Sequence, residues 1–209
     1  MTQKEKATIG VFGIGLAACW PQFPGLKERL EGYQRKVEQC ISEWADVISA
    51  GLVDDPADAQ RSGEALLREG VDLLFCYVGT YATSSQVLPV VQRSKAPVVV
   101  LNLQPRAALD YPRTDTGEWL ANCSACCVPE ISCAFARADI SFRLVTGMLE
   151  PDVRQPWESA WEDIREWCEA AAVVRNLRRA RMGFLAYLSR NAGYVQRFHP
   201  APRSARHTH

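Results

Sequence analysis

Histidine is almost missing from this chain. The only three are His199, His207 and His209, so residues 1–198 hold none. That excludes a Cys–His or Ser–His nucleophilic pair from everything before the C-terminal segment. Net charge is missing too, since 24 basic side chains balance 24 acidic ones. Without an excess of either sign there is no long-range attraction to nucleic acid or to an anionic membrane surface. No apolar run approaches the roughly 20 residues of a membrane span. Neither nucleic acid nor a membrane is therefore an expected partner.

Apolar residues make up 47% of the 209, enough to build a sizeable core in one full domain and part of another. Eight cysteines stand at 19, 40, 76, 123, 126, 127, 133 and 168. Most sit inside apolar segments, where free cysteine behaves as a small hydrophobe. That usage fits a reduced, cytoplasmic protein better than a disulfide scaffold. One stretch points elsewhere. Lys4 and Lys6 precede an apolar run over 7–19 that ends Leu16-Ala17-Ala18-Cys19, a pattern similar to a lipoprotein export signal. The same run also reads as a buried first strand followed by a loop.

Strand and helix patterns alternate along the chain. Residues 8–14 are a continuous apolar run, as expected of a strand buried on both faces. Leu26, Leu30, Tyr33, Val37, Ile41 and Trp44 mark one face of a long helix. A second strand is expected over 46–53. Asp54-Asp55-Pro56 then supplies a cap and a proline for a helix that runs to Glu69 and stops at Gly70. Further strands are expected over 71–78, 97–101 and 142–145. Helices are expected over 84–93 and 123–138, the latter with Pro129 in its first turn. A long loop over 102–118 separates the fourth strand from the last of these helices, and loops of that length usually carry function. Five β–α units over 1–150 imply a doubly wound parallel sheet of flavodoxin- or Rossmann-like, three-layer kind. Ligands of such sheets gather at the carboxyl ends of the strands. After a linker over 151–156, residues 157–181 read as a strong helix and 182–186 as a strand. Together, 151–186 look like the opening of a second, truncated α/β domain that would leave an apolar patch bare. Residues 187–209, basic and without apolar period, are expected to be disordered.

Three motifs invite chemistry. Gly13-Ile14-Gly15-Leu16-Ala17-Ala18 matches the dinucleotide pattern G-x-G-x-x-A. That pattern needs a helix to begin inside it, and Trp20-Pro21-Gln22-Phe23-Pro24 intervenes here. Cys123, Cys126, Cys127 and Cys133 could suggest a metal cluster, but zinc sites usually bring two separated pairs. Packing of small residues against the sheet accounts for them as well. A carboxylate pair from Asp110, Asp115 and Glu118 could serve general acid–base work, or the three could simply be solvated.

Four collinear stretches carry a family resemblance: IGVFGIGLAACWPQFPGLKERLEGY, FCYVGTYATSSQVLPVVQRSKAPVVVLNLQP, ALDYPRTDTGEWLANCSACCVPEISCAFARA and RARMGFLA. Over residues 7–186 the chain resembles the N-terminal region of the L-arabinose and L-fucose isomerase family, above all its arabinose-isomerase-like branch. Members are roughly twice this length or more. The resemblance implies aldose–ketose interconversion in carbohydrate metabolism with a divalent metal, commonly Mn²⁺, that polarises the sugar oxygens while carboxylates move the proton. In the family the ligands and base lie in the second and third domains, so this chain is expected to hold no catalytic or metal-binding residue and to be inactive alone. The family's N-terminal domain packs against a neighbouring subunit of a homo-oligomer and closes part of that neighbour's sugar site. Carried over by position, Trp20 and Gln22 of the first loop and Thr80, Tyr81 and Thr83 of the third-strand loop would contact sugar. Cys126 stands where the family stretch matching residues 122–130 has a substrate-contacting histidine, which leaves that contact open. An aromatic ring, an amide and hydroxyls are what a polyol needs for stacking and directed hydrogen bonds. Two other readings stay open: a non-catalytic sugar-binding module of periplasmic-receptor type, and a nicotinamide-binding domain.

The last segment has its own signature. Full-length relatives continue after the strand matching 181–186 with a stretch like YPGMLDMYSDFT, whereas this chain continues LSRNAGYVQRFHPAPRSARHTH from Leu188. Allowed codons for that tail, read one base later, yield YPGMLDMYSDFT. A single-base frameshift just before Leu188, biological or introduced in sequencing, would explain both the basic tail and the missing half.

Overall fold

The computed structural model describes residues 5–150, 159–180, 183–188 and 192–197. Five parallel strands form one sheet in the order β2-β1-β3-β4-β5: β1 (Thr8–Ile14), β2 (Asp46–Val53), β3 (Leu73–Val78), β4 (Val98–Gln104) and β5 (Phe142–Met148). This is the doubly wound, flavodoxin-like order, in which the connections leave β1 in opposite directions and open a crevice at the carboxyl ends. The central strands are apolar throughout because helices cover both faces, and all six residues of β3 are buried.

Alternation divides the core in two. Phe12, Ile14, Leu74, Cys76, Val78, Val98 and Val100 face α2 (Pro56–Glu69), α3 (Ser84–Ser94) and α5 (Val128–Arg137). Ile9, Val11, Phe75, Tyr77, Val99, Leu101 and Leu103 face α1 (Leu26–Ser42) and α6 (Ser159–Arg179). Two faces of one strand thus serve two separate layers.

The local signals act as the sequence suggests. The Asp55 side chain accepts the Asp58 amide at 2.8 Å, Pro56 follows in the first turn, and Gly70 closes α2 at φ 63°. Thr83 and Gln86 form a capping box at the start of α3, and Pro129 occupies the first turn of α5. The segment expected as one helix over 123–138 is divided: a 3-10 turn over Ala125–Cys127 precedes α5. The expected loop over 102–118 is shorter, because β4 extends to Gln104 and α4 (Thr116–Leu120) closes its far end, with a 3-10 turn over Tyr111–Arg113 between them.

Three expectations need correction. Residues 8–14 are an interior strand of the sheet, paired with β2 on one side and β3 on the other, so the run acts as a buried strand in this fold rather than as a detachable export signal. The helix expected to open a second domain belongs to the first: Ala160, Ile164 and Cys168 of α6 are buried against the sheet beside Val145 and Leu149. Arg175 of α6 also donates to Asp72 at 2.8 Å and to Thr8 at 3.0 Å. Only the far part of the helix, at Val173, Val174 and Leu177, keeps apolar side chains exposed. Finally, the tail expected to be disordered pairs in part. β6 (Gly183–Leu188) and β7 (Ala192–Arg197) form an antiparallel ladder in which Leu188 faces Ala192 and Gly183 faces Arg197. Tyr194 and Val195 supply the β-favouring residues that a purely compositional reading passes over. The linker expected over 151–156 and the rest of the tail, 198–209, lie outside the described residues.

Candidate functional site: a mixed-charge cleft at the strand ends

The loops after β1 and β4 enclose a cleft of about 790 Å³ at the carboxyl edge of the sheet. Its first wall begins at Gly15, whose amide donates to Val53 O at 3.0 Å and so extends the β1–β2 pairing beyond the strands. A 3-10 turn over Ala17–Cys19 then brings Trp20 back over the loop. The indole N–H donates to Asp54 Oδ2 at 2.7 Å, and Lys27 Nζ donates to the same oxygen at 2.8 Å. That hydrogen bond holds the Lys27 ammonium above its ordinary pKa. Beyond Trp20, Gln22 and Phe23 reach the cleft, and Gly25, at φ 82°, turns the chain into α1.

Glu118 organises the opposite wall. Asp115 caps α4 by accepting the Glu118 amide at 2.7 Å, which fixes the start of this short helix. The Glu118 carboxylate then receives a two-pronged guanidinium, with Arg29 Nη1 at 2.6 Å and Nη2 at 3.2 Å. Arg106 approaches at 3.3 Å and Asn122 Nδ2 donates at 3.2 Å. Arg29 in turn donates through Nε to the Tyr33 hydroxyl at 2.7 Å. The Arg29 hydrogen bond holds the Glu118 carboxyl below its ordinary value of 4.5, and Glu118 holds Arg29 above its own. Leu26, Leu30, Leu120 and Ala121 form a small apolar floor beneath this pair.

The three loop carboxylates each have a partner in the fold. Glu118 is a fixed anion at neutral pH, Asp115 is a helix cap, and Asp110 pairs with Arg113 at 3.5 Å. The cleft instead offers guanidinium and amide donors, carboxylate acceptors, the hydroxyls of Thr114 and Thr116, and the ring of Phe23. Arg29 escapes sequence reasoning because its partner is 89 residues away, and Arg106 because an irregular loop separates it from Glu118. No local spacing signals such a contact.

The six positions singled out from sequence fall into two groups. Gln22 lines the cleft, its amide anchored to Ala18 O at 2.8 Å, and Trp20 stands behind it on Asp54. The other four lie around the β3 loop and the start of α5. Thr80 is buried and donates to Leu120 O at 2.7 Å. Thr83 is spent in the α3 cap, Tyr81 is 38% exposed, and Cys126 is exposed beside Cys123. The two groups meet through Thr80 and the end of α4.

The glycine motif after β1 serves packing. A Cβ on Gly15 would stand 2.8 Å from the Trp20 indole, and the space over Gly13 belongs to Gln34. The positions that a pyrophosphate would use are thus taken by side chains, and α1 begins only at Leu26. Among the described residues no group of three or more His, Cys, Asp or Glu side chains could hold a metal ion. Burial also pushes the Cys123 thiol up to about 12 and Cys127 up to about 11, which disfavours the thiolates a metal needs. Among the described residues no helix is long and apolar enough to cross a membrane.

No family model and no curated protein matches this chain. Solved structures do. The signal receiver domain of the response regulator NarL from Mycobacterium tuberculosis is 13% identical, with a TM-score of 0.34, over 81% of this chain and 98% of that one. Type II dehydroquinase from Propionibacterium acnes is 11% identical, with a TM-score of 0.36, over 80% and 98%. TesA is 18% identical, with a TM-score of 0.34, over 78% and 97%. At such identities and scores these likenesses carry nothing about function.

Proposed function

We propose that this chain is the N-terminal, subunit-contacting domain of a metal-dependent ketol isomerase similar to the L-arabinose and L-fucose isomerases. In this reading it binds a neutral polyol in the cleft between the β1 and β4 loops and performs no isomerisation alone. The observation that supports polyol binding is the composition of the cleft. Opposite charges converge there and cancel, leaving directed donors and acceptors around one aromatic ring. A neutral polyhydroxyl compound matches such a lining, whereas a multiply charged ligand would meet like charge on one wall. The sugar would reach its metal and base in domains that this chain does not contain, and Mn²⁺ or another divalent ion would be bound there. The change of character after Tyr187 is what supports a one-base frameshift at that point.

Titration calorimetry with L-arabinose and L-fucose tests the binding. Millimolar affinity is expected for at least one of them, weakened about tenfold or more in Arg29→Ala, where a charged hydrogen-bond partner is lost. Parallel assays with Mn²⁺ should show no ketose. Turnover by the pure chain that a chelator abolishes would overturn the inactive-domain reading. Absence of heat with every aldose tried would overturn the polyol site. Sequencing the DNA beyond the tail should find the missing half in the shifted frame, and a closed frame there would dismiss the frameshift.

A further inference from the structure

The polyol reading leaves the C-x-x-C of residues 123–126 unused. Its geometry is specific. The Cys123 amide donates to Leu120 O at 3.2 Å, and a 3-10 turn over Ala125–Cys127 follows at once. Cys123 stands just before this turn and Cys126 inside it, so the turn folds the second cysteine back toward the first. The two sulfurs accordingly lie 2.7 Å apart, with Cys126 Sγ also 3.1 Å from Cys123 O. A disulfide needs a sulfur separation of about 2.05 Å, so the two sulfurs have less than an ångström to close. Exposure is unequal: Cys126 is exposed and Cys123 is 7% exposed. The neighbouring Cys127 is fully buried and directed away, toward Thr80 O at 3.5 Å.

We propose that Cys123 and Cys126 form a two-electron thiol–disulfide couple whose substrates are low-molecular-weight disulfides of the glutathione class. Cys126 loses its proton and attacks one sulfur of the disulfide RSSR. That S–S bond breaks, one thiolate leaves and takes up a proton, and R stays joined to Cys126. Cys123 then loses its proton and attacks Cys126 Sγ, expelling the second thiolate, which is protonated in turn. The balance is two protein thiols oxidised to one disulfide and one RSSR reduced to two RSH. Roles follow from access: the exposed sulfur meets the substrate, and the buried one resolves the mixed disulfide. Burial, by pushing the Cys123 thiol up, makes the resolving step slow at neutral pH and faster in alkaline solution, and by leaving the reduced pair without a stabilised thiolate it favours the closed disulfide once formed. Asn122, next to Cys123, donates to Glu118, so the couple sits one residue from the cleft wall.

The test uses the full chain, reduced and then exposed to oxidised glutathione. Free thiols are alkylated and the tryptic peptide spanning residues 114–137 is mapped by fragmentation mass spectrometry. The expected product has lost two hydrogens, with the bond between Cys123 and Cys126. In Cys123→Ser, glutathione should remain attached at Cys126, and in Cys126→Ser neither product should form. A bond mapping to Cys127 or Cys133, a wild-type chain that stays fully reduced, or no adduct on Cys126 in Cys123→Ser would each overturn the couple.

Discussion

At the scale of the residue, Glu118 decides the character of the cleft. Its side chain is 22% exposed and faces two guanidinium groups, so its cost of desolvation is small and its charge is compensated. An acid whose folded pKa is depressed stabilises the fold above its unfolded value, and that contribution vanishes as pH falls through the folded value. For Glu118 the unfolded reference is its ordinary 4.5. Glu118→Gln should therefore lose no more than about 1 kcal/mol at neutral pH, as partly exposed pairs do. The gap to wild type should hold down to that ordinary value and close in more acidic solution. Urea midpoints measured stepwise from neutral to acid pH check this. A gap that persists unchanged below Glu118's depressed value would detach Glu118 from the acid limb.

Elements meet most closely where α2 crosses α3, and one glycine permits it. A Cβ on Gly63 would lie 2.7 Å from Arg93 Cβ, 2.8 Å from Val90 O and 2.9 Å from Pro89 O. Two of those three atoms are backbone, so the helices would have to separate. Replacing a mid-helix glycine by alanine gains up to about 1 kcal/mol of propensity, while overpacking costs about 1–3 kcal/mol. Gly63→Ala should be destabilising on balance. Gly32→Ala on α1, where only the flexible end of Arg35 comes within 4 Å, should be neutral or stabilising. Thermal melts of the two variants separate crowding from propensity, and equal shifts would refute the packing argument. The elements themselves were legible in the sequence. Apolar runs marked β1 and β3, and Asp55, Pro56 and Gly70 bounded α2, because these signals act within a few residues of where they stand. The crowding at Gly63 was not legible, since it depends on where a second helix lies.

For the whole molecule, α6 sets the domain boundary. Periodicity showed that 157–181 would be helical with one apolar face, but not which surface that face would cover. The structure lays it on the sheet, where Ala160, Ile164 and Cys168 shield the layer around Tyr77, Leu101 and Val145. Fully burying an isoleucine such as Ile164 contributes about 1.5–3 kcal/mol, so the helix is integral to stability. A chain ended at Glu150 should aggregate or bind a dye for exposed apolar surface, as seen by light scattering and fluorescence. A monodisperse, cooperatively melting product would return the boundary to residue 150. The cleft was half legible for a similar reason. Gln22 was reached from its loop, while Arg29 and Arg106 needed the fold to carry them to Glu118.

The strand order also bears on how the chain is made. Synthesis begins with β1, which ends inside the sheet, one strand from its edge, and β2 and β3 follow to flank it. From β3 onward each new strand joins the outer edge of the one before, so the sheet can grow in the order in which it leaves the ribosome. Its two faces mature at different times. The side covered by α2, α3 and α5 is complete once Phe142 at the start of β5 reaches Phe135, whereas the side shared by α1 and α6 stays partly open until residue 168 is free. Throughout that interval the nascent chain presents one greasy face to the cell, and the last well-packed helix determines how long a chaperone must stand guard over it.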